Sequence, residues 1–343
     1  MKLMHCMADI PSQARRLFTV FLMVVASVLC TEAQTQINGI YYTLDSNTAT
    51  ATVTKGSSSG TYSGDVVIPS QVTYNGKVYT VMRLEDQSFM SCNSLTSIEI
   101  PNTVKQIGWM AFYGCSGLKE IVIPNSVESI GSQAFSCCSS LTSVYIPSSV
   151  TKISNCLFSQ SNNIRSIIVN PNNKVYDSRD NCNAIIETAT NTLTSACSYS
   201  TIPSSVTNIK SDAFFYCEYL VSIEIPNSVS FIASYAFKGC SKLTQITCRA
   251  DVPPTIGGSN SFEKVDKSIP VYVPASSIET YKTAQYWSEF TNFQPIAEPA
   301  KTEWRISDRT DIDVDFHSID EAMKDERVQD GHTLFIERGS HLA

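Results

Sequence analysis

Six times along the chain an apolar residue is followed three places later by a second, and two places after that by a third. Leu95, Leu118, Leu141, Ile164, Leu220 and Leu243 open the motif; Ile98, Ile121, Val144, Ile167, Ile223 and Ile246 continue it. Ile100, Ile123, Ile146, Val169, Ile225 and Cys248 close it. The end of each motif alternates apolar and polar, so it predicts a short strand with its apolar side turned inward. In five of the six the closing residue stands directly before a Pro or Asn-Pro, and a Pro has no N–H with which to prolong a ladder, so it ends the strand. After the Pro a second apolar pair recurs, Val104 with Ile107, Val127 with Ile130, Val150 with Ile153, Val206 with Ile209 and Val229 with Ile232. That spacing fits a short extended or 3₁₀ piece. Then comes Ala111-Phe112, repeated as Ala134-Phe135, Leu157-Phe158, Ala213-Phe214 and Ala236-Phe237. The Phe column is expected to fill an interior, with the small Ala admitting close backbone approach in a helical turn.

Pro101, Pro124 and Pro147 fall 23 residues apart, as do Pro203 and Pro226, while the 56 residues between Pro147 and Pro203 hold one repeat plus 33 more. A fixed period between about 20 and 29 residues with recurring Leu and Ile marks a leucine-rich repeat solenoid of short strands and short turns. One coil alone leaves its upper and lower apolar edges bare, so the coils must stack. The expected organisation is an N-terminal cap over 34–78, a repeat array over 79–248 with an insert at 170–202, and a C-terminal cap over 249–296. Ile40-Tyr41-Tyr42, Ala51 to Thr54 and Asp65 to Ile68 read as strands of the first cap; Val271 to Val273 and Ile278 to Trp287 read as a strand and helix of the second. Within the insert, Asn183 to Glu187 and Thr192 to Thr194 flank a polar turn, which predicts a hairpin projecting from the array.

Twelve cysteines in an exported chain would ordinarily suggest a disulfide framework. Here the repeat explains five of them. Cys92, Cys115, Cys138, Cys217 and Cys240 share one column, with Ser161 in the remaining place, and are expected to form a buried ladder of small side chains. Stacked Cβ vectors rarely offer disulfide geometry. Cys137, Cys156, Cys182 and Cys197 stand outside the column and are the better candidates for any disulfide.

The formal net charge of −7 and the lack of a basic block argue against nucleic acid or an anionic membrane as partner. Arg15 and Arg16 precede the apolar run Leu17 to Leu29, and Thr31-Glu32-Ala33 offers a small-residue cleavage site, so residues 1–33 read as a signal peptide. The run is short for a bilayer span, which takes about 20 residues, and no membrane insertion is expected after cleavage. Leu29 before Cys30 is bulkier than a lipoprotein site ordinarily has. Histidine occurs only at 5, 317, 332 and 341, so the repeats contain no histidine for a nucleophile system, and no catalytic residue, cofactor or metal is assigned. Asp311, Asp313 and Asp315 lack the glycine turn and closing Glu of a Ca²⁺ loop.

The run Pro124-Asn125-Ser126-Val127 through Ile130-Gly131, Ala134-Phe135, Cys138 and Leu141 resembles the BspA-type leucine-rich repeat, and the resemblance covers roughly residues 37–296. It implies a secreted or surface-exposed bacterial protein that adheres to a host matrix or cell-surface protein. Beyond a polar linker at 297–303 lies the tail 304–343, of which Phe316 to Ala343 alone is weakly similar to the start of a parallel β-helix domain of the pectin-lyase kind; the plain alternative is an ordinary tail. On that similarity the alternative reading of function is an accessory repeat region of a truncated carbohydrate-active β-helix protein.

In each strand the residue between the last two apolar positions points away from the core. That column is Glu99, Val122, Tyr145, Ile168, Glu224 and Thr247, beside the column Ser97, Glu120, Ser143, Ser166, Ser222 and Gln245. Val122, Tyr145 and Ile168 give three successive apolar steps rimmed by acids and serines, which suits protein recognition; the competing expectation is plain lateral support of the sheet.

Overall fold

Residues 34–297 are described in a computed structural model; the expected signal peptide, nearly all of the linker and the β-helix-like tail lie outside the described residues. The repeat motifs form parallel ladders between successive coils. Ser143–Ile146 pairs with Ser166–Val169, Val144 opposite Ile167, at an offset of one repeat. Ser222–Ile225, Gln245–Cys248 and Pro270–Val273 continue the same arrangement further on. The Val-x-x-Ile segments resolve to extended structure: Gln106–Ile107, Ser129–Ile130 and Lys152–Ile153 form a second parallel ladder, as do Asn208–Ile209, Phe231–Ile232 and Thr255–Ile256.

Two local expectations change. Ile121 to Ile123 is not a strand, yet Ile121 and Ile123 stay buried, because the stacked neighbours cover them whether or not the ladder bonds form. The Ala-Phe segments are tight turns, not helices. Two residues before each Phe, at Gln87, Met110, Gln133, Cys156, Asp212 and Tyr235, φ lies between +52° and +62°; two residues after, at Ser91, Gly114, Cys137, Gln160, Tyr216 and Gly239, it lies between +53° and +78°. Left-handed residues on both sides exclude a helix. The amide groups then divide their partners: Phe89 N–H donates to Ala111 O of the next coil at 2.8 Å and Phe112 N–H to Ala134 O at 2.9 Å, while Cys92 and Cys115 N–H close turns on Phe89 O and Phe112 O. Every second amide thus binds coil to coil, a third ladder that a helix would have spent internally.

The Phe column is the interior. Phe89, Phe112, Phe135 and Phe158 stack with centroids 5.2, 5.7 and 6.3 Å apart, and Phe214, Phe237 and Phe262 do so at 4.8 and 5.1 Å. Aromatics also close both ends. Tyr62 lies 4.7 Å from Phe89, its hydroxyl donating to Thr54 O and accepting from Tyr41 N–H. At the other end Trp287 Nε1 donates to Pro254 O and the Tyr281 hydroxyl to Ala250 O, both at 2.8 Å. The expected cap strands are present as Ile40–Asp45, Thr50–Thr54 and Gly64–Val67, and the closing helix is Ile278–Thr283 followed by a 3₁₀ turn, Trp287–Glu289.

The insert does contain the hairpin, Ala184–Glu187 against Thr192–Ala196, but it does not project. Leu193 pairs with Ile209, so the second strand heads the ladder of the following coils, and Ile185, Ile186 and Leu193 are fully buried. An apolar pair on one strand cannot be left in water, and the solenoid supplies the cover. The buried side chains fall into two clusters whose boundary runs through the insert: Tyr176, Ile185 and Cys197 join the first, and Cys182, Ala184, Ile186, Leu193 and Ala196 the second. The first stack ends with amides that have no next coil, and side chains serve instead. Ile153 N–H donates to the Tyr176 hydroxyl at 3.1 Å, Val169 N–H to Ser178 Oγ at 3.0 Å, and Asn173 donates to Pro147 O and Val150 O at 2.9 Å. Buried backbone groups demand such partners.

Candidate binding face

Strand alternation sets the outward column. Among its members Val122 is 75% exposed, Tyr145 45% and Ile168 50%, and Tyr145 stands opposite Ile168 in the ladder. Glu99 is exposed in the same stack. Its neighbour is a residue the sequence reading missed: Val67, 60% exposed and opposite Glu99 through the pairing of Gly64–Val67 with Leu95–Glu99. The signal was present in Val66-Val67-Ile68-Pro69, which repeats the strand-then-Pro motif but falls off the 23-residue phase. Glu224 lies across the insert, on a strand whose buried residues Ile223 and Ile225 belong to the second cluster, and is held by Arg249, Nε to Oε1 2.5 Å. Val67, Glu99, Val122, Tyr145 and Ile168 therefore share the first stack, and Glu224 does not. At the rim, hydrogen bonds from Ser97 and Thr96 to Asp65 hold that carboxyl below its ordinary range.

The cysteine column does more than pack. The thiol of Cys115 donates to Phe89 O at 3.0 Å, Cys138 to Phe112 O at 3.1 Å and Cys240 to Phe214 O at 3.2 Å, each the Phe of the preceding coil, while Cys217, which follows the insert, donates to Ala196 O at 3.9 Å. Ser161 fills the same role, Oγ to Phe135 O at 2.7 Å. The column selects a small donor, which is why Ser replaces Cys without breaking the stack. Burial pushes the Cys138 and Cys240 thiols up to about 12 and raises those of Cys92, Cys115 and Cys217, so they stay protonated and inert at neutral pH. Cys137, Cys156, Cys182 and Cys197 are likewise free thiols. Cys156 is pushed up to about 12, first by burial and then by Asp212, whose own carboxyl is raised by burial.

Among the described residues no group of His, Cys, Asp and Glu is arranged to hold a metal ion, and no helix is long and apolar enough to cross a membrane. What the face offers is a rigid, open, mixed apolar and polar surface.

A family model described as a BspA type leucine rich repeat region matches residues 82–194 and 186–294 in six copies. Among solved structures, a leucine rich cell surface protein of Faecalibacterium prausnitzii is 22% identical, covering 78% of this chain and 95% of its own, with a TM-score of 0.29. The pneumococcal vaccine antigen PcpA is 15% identical, covering 78% and 99%, with a TM-score of 0.42. The T. pallidum leucine rich repeat protein is 21% identical, covering 74% and 97%, with a TM-score of 0.40. No curated protein matches the chain.

Proposed function

The chain belongs to the BspA-type leucine-rich repeat family, and from that premise we propose that it is a non-catalytic, protein-binding adhesion module, secreted or held at the outer surface of a bacterial cell. The apolar steps Val122, Tyr145 and Ile168 carry the reading. A side chain of that size normally gains roughly 1.5–3 kcal/mol by leaving water, so three of them outside on adjacent coils leave stabilisation for a partner to collect. The backbone beneath is held from coil to coil, by the strand ladder at Tyr145 and Ile168 and by the inner and turn ladders through the coil of Val122, so docking orders little that is not already ordered. Tyr145 is the aromatic anchor, and Glu99, Ser143 and Ser166 form the polar rim. The N-terminal apolar run supports export, and the family resemblance supports a host matrix or cell-surface protein as partner.

The test is retention of the full chain on a panel of immobilised host matrix proteins, with Tyr145→Glu beside it. Tyr145 is half-exposed, so the fold tolerates the charge, and an anchor lost from an interface weakens binding by about tenfold or more. Equal retention of the two proteins removes this face from the account.

A further inference from the structure

The junction between the two stacks carries a second surface of different chemistry. Tyr199, Tyr219 and Lys242 each follow a buried cysteine by two residues and so occupy one column on three consecutive coils. Tyr199 comes from the insert, and Tyr219 N–H donates to Ser198 Oγ beside it at 3.3 Å. Arg165, from the last coil of the first stack, places its guanidinium 4.5 Å from the centre of the Tyr199 ring, and Lys242 places its ammonium 4.1 Å from that of Tyr219. Asn162 Oδ1 ties the stacks together by accepting from Glu218 N–H at 3.0 Å and from Ser198 Oγ at 3.3 Å. Next to this row Lys264 sits 5.0 Å over Tyr216 and bonds its hydroxyl at 2.9 Å.

We infer that this row, Arg165–Tyr199–Tyr219–Lys242 with Lys264 beside it, binds an anionic polysaccharide. Arg165, Lys242 and Lys264 form no ion pair among the described residues, although the chain as a whole carries a net charge of −7. A cation resting on a tyrosine keeps its charge and is already held in place, so it gives up little side-chain freedom when an anion arrives. Tyr199 and Tyr219 keep 39% and 42% of their surface in water. An exposed ring of this kind packs the π-face that the cation leaves free against the C–H face of a pyranose, while carboxylates or sulfates pair with the flanking cations. Length decides between a sugar and a polymer. Arg165 and Lys242 stand three coil steps apart, about 14 Å at sheet spacing, which a single ring does not span and an extended chain does.

The experiment is biolayer interferometry of the full chain at low ionic strength on immobilised heparin, polygalacturonate, dextran and polyglutamate. Retention by heparin or polygalacturonate, and not by dextran, is expected; which of the two binds more tightly distinguishes sulfate from carboxylate. Arg165→Gln with Lys242→Gln, and separately Tyr199→Ala with Tyr219→Ala, are each expected to weaken glycan binding by about tenfold or more, with an unchanged melting curve. Tyr219→Phe retains the ring and should stay near wild type. Tyr145→Glu should leave glycan binding untouched, which separates this surface from the strand face. Wild-type binding to neither glycan, unchanged binding by both double variants, or equal binding to polyglutamate overturns the inference.

Discussion

Replacing Phe135 by Ala removes an interior ring of the first aromatic spine. The side chain is fully buried, with the Phe112 centroid at 5.7 Å on one side and Phe158 at 6.3 Å on the other. Burial lost and cavity formed cost about 3–5 kcal/mol for a Phe-to-Ala change, of which the two ring pairs represent roughly 1–3 kcal/mol. The site cannot collapse, because Phe135 N–H to Leu157 O and the strand ladders hold the neighbouring coils at fixed spacing. The cost therefore belongs near the upper half of that range, about 4 kcal/mol, or a fall in Tm of roughly 10 °C for a unit of this size. The consequence should also be local. The insert separates two buried clusters, and the Phe158 and Phe214 rings on either side of it are not a stacked pair. Amide exchange measured on wild type and variant should quicken first between 82 and 169, while the amides of Phe214 and Phe237 keep most of their protection. A loss below about 1 kcal/mol would refute the spine, and equal loss of protection in both stacks would refute their separation.

Smaller perturbations test the polar rules of the coil. Cys138→Ser should cost well under about 1 kcal/mol, since Ser161 already performs that task, whereas Cys138→Val should cost about 0.5–1.5 kcal/mol by removing the second donor to Phe112 O, which keeps Cys115 N–H; urea midpoints compare them. Tyr176→Phe removes the acceptor of Ile153 N–H and should cost roughly 1–3 kcal/mol, seen as faster exchange at Ile153. Asp212 has its carboxyl raised by burial, so the folded state holds a proton that the unfolded state releases, and stability falls as pH rises from the unfolded value, about 3.9, through the folded one. Asp212→Asn should flatten that fall and give a higher urea midpoint than wild type at neutral pH, with no gain at acid pH. Glu224→Gln, which breaks an exposed pair, should change stability by less than about 1 kcal/mol.

Periodicity made the fold legible because every coil repeats the same burial requirement. The 23-residue phase places Leu95, Ile98, Phe112 and Cys115 in columns before any coordinate is known, and all four are buried. What escaped the pattern depends on backbone bonds between coils. Nothing in Ala-Phe announces that Phe89 N–H will reach Ala111 O instead of closing a helix, and the left-handed residues around it, Gln87 and Ser91, are not glycines. The Cys column reads as packing in sequence because its hydrogen bond runs to a carbonyl 26 residues earlier. The insert was legible as a hairpin but not in its placement, since whether Leu193 meets water or Ile209 is decided by the coil that follows. Of the candidate face, the outward column followed from strand alternation; Val67 was lost to a change of phase, and Glu224 was included by a register that the insert interrupts.

Thiol reactivity along two paired strands, Ser143–Ile146 and Ser166–Val169, tests the stacked-coil account most directly. Single cysteines introduced at Val144, Tyr145, Ile167 and Ile168 are treated with a water-soluble disulfide reagent, against the wild-type background. The account predicts fast modification at 145 and 168 and protection at 144 and 167 until the chain unfolds. Uniform reactivity, or protection at 145 with reaction at 144, would contradict it.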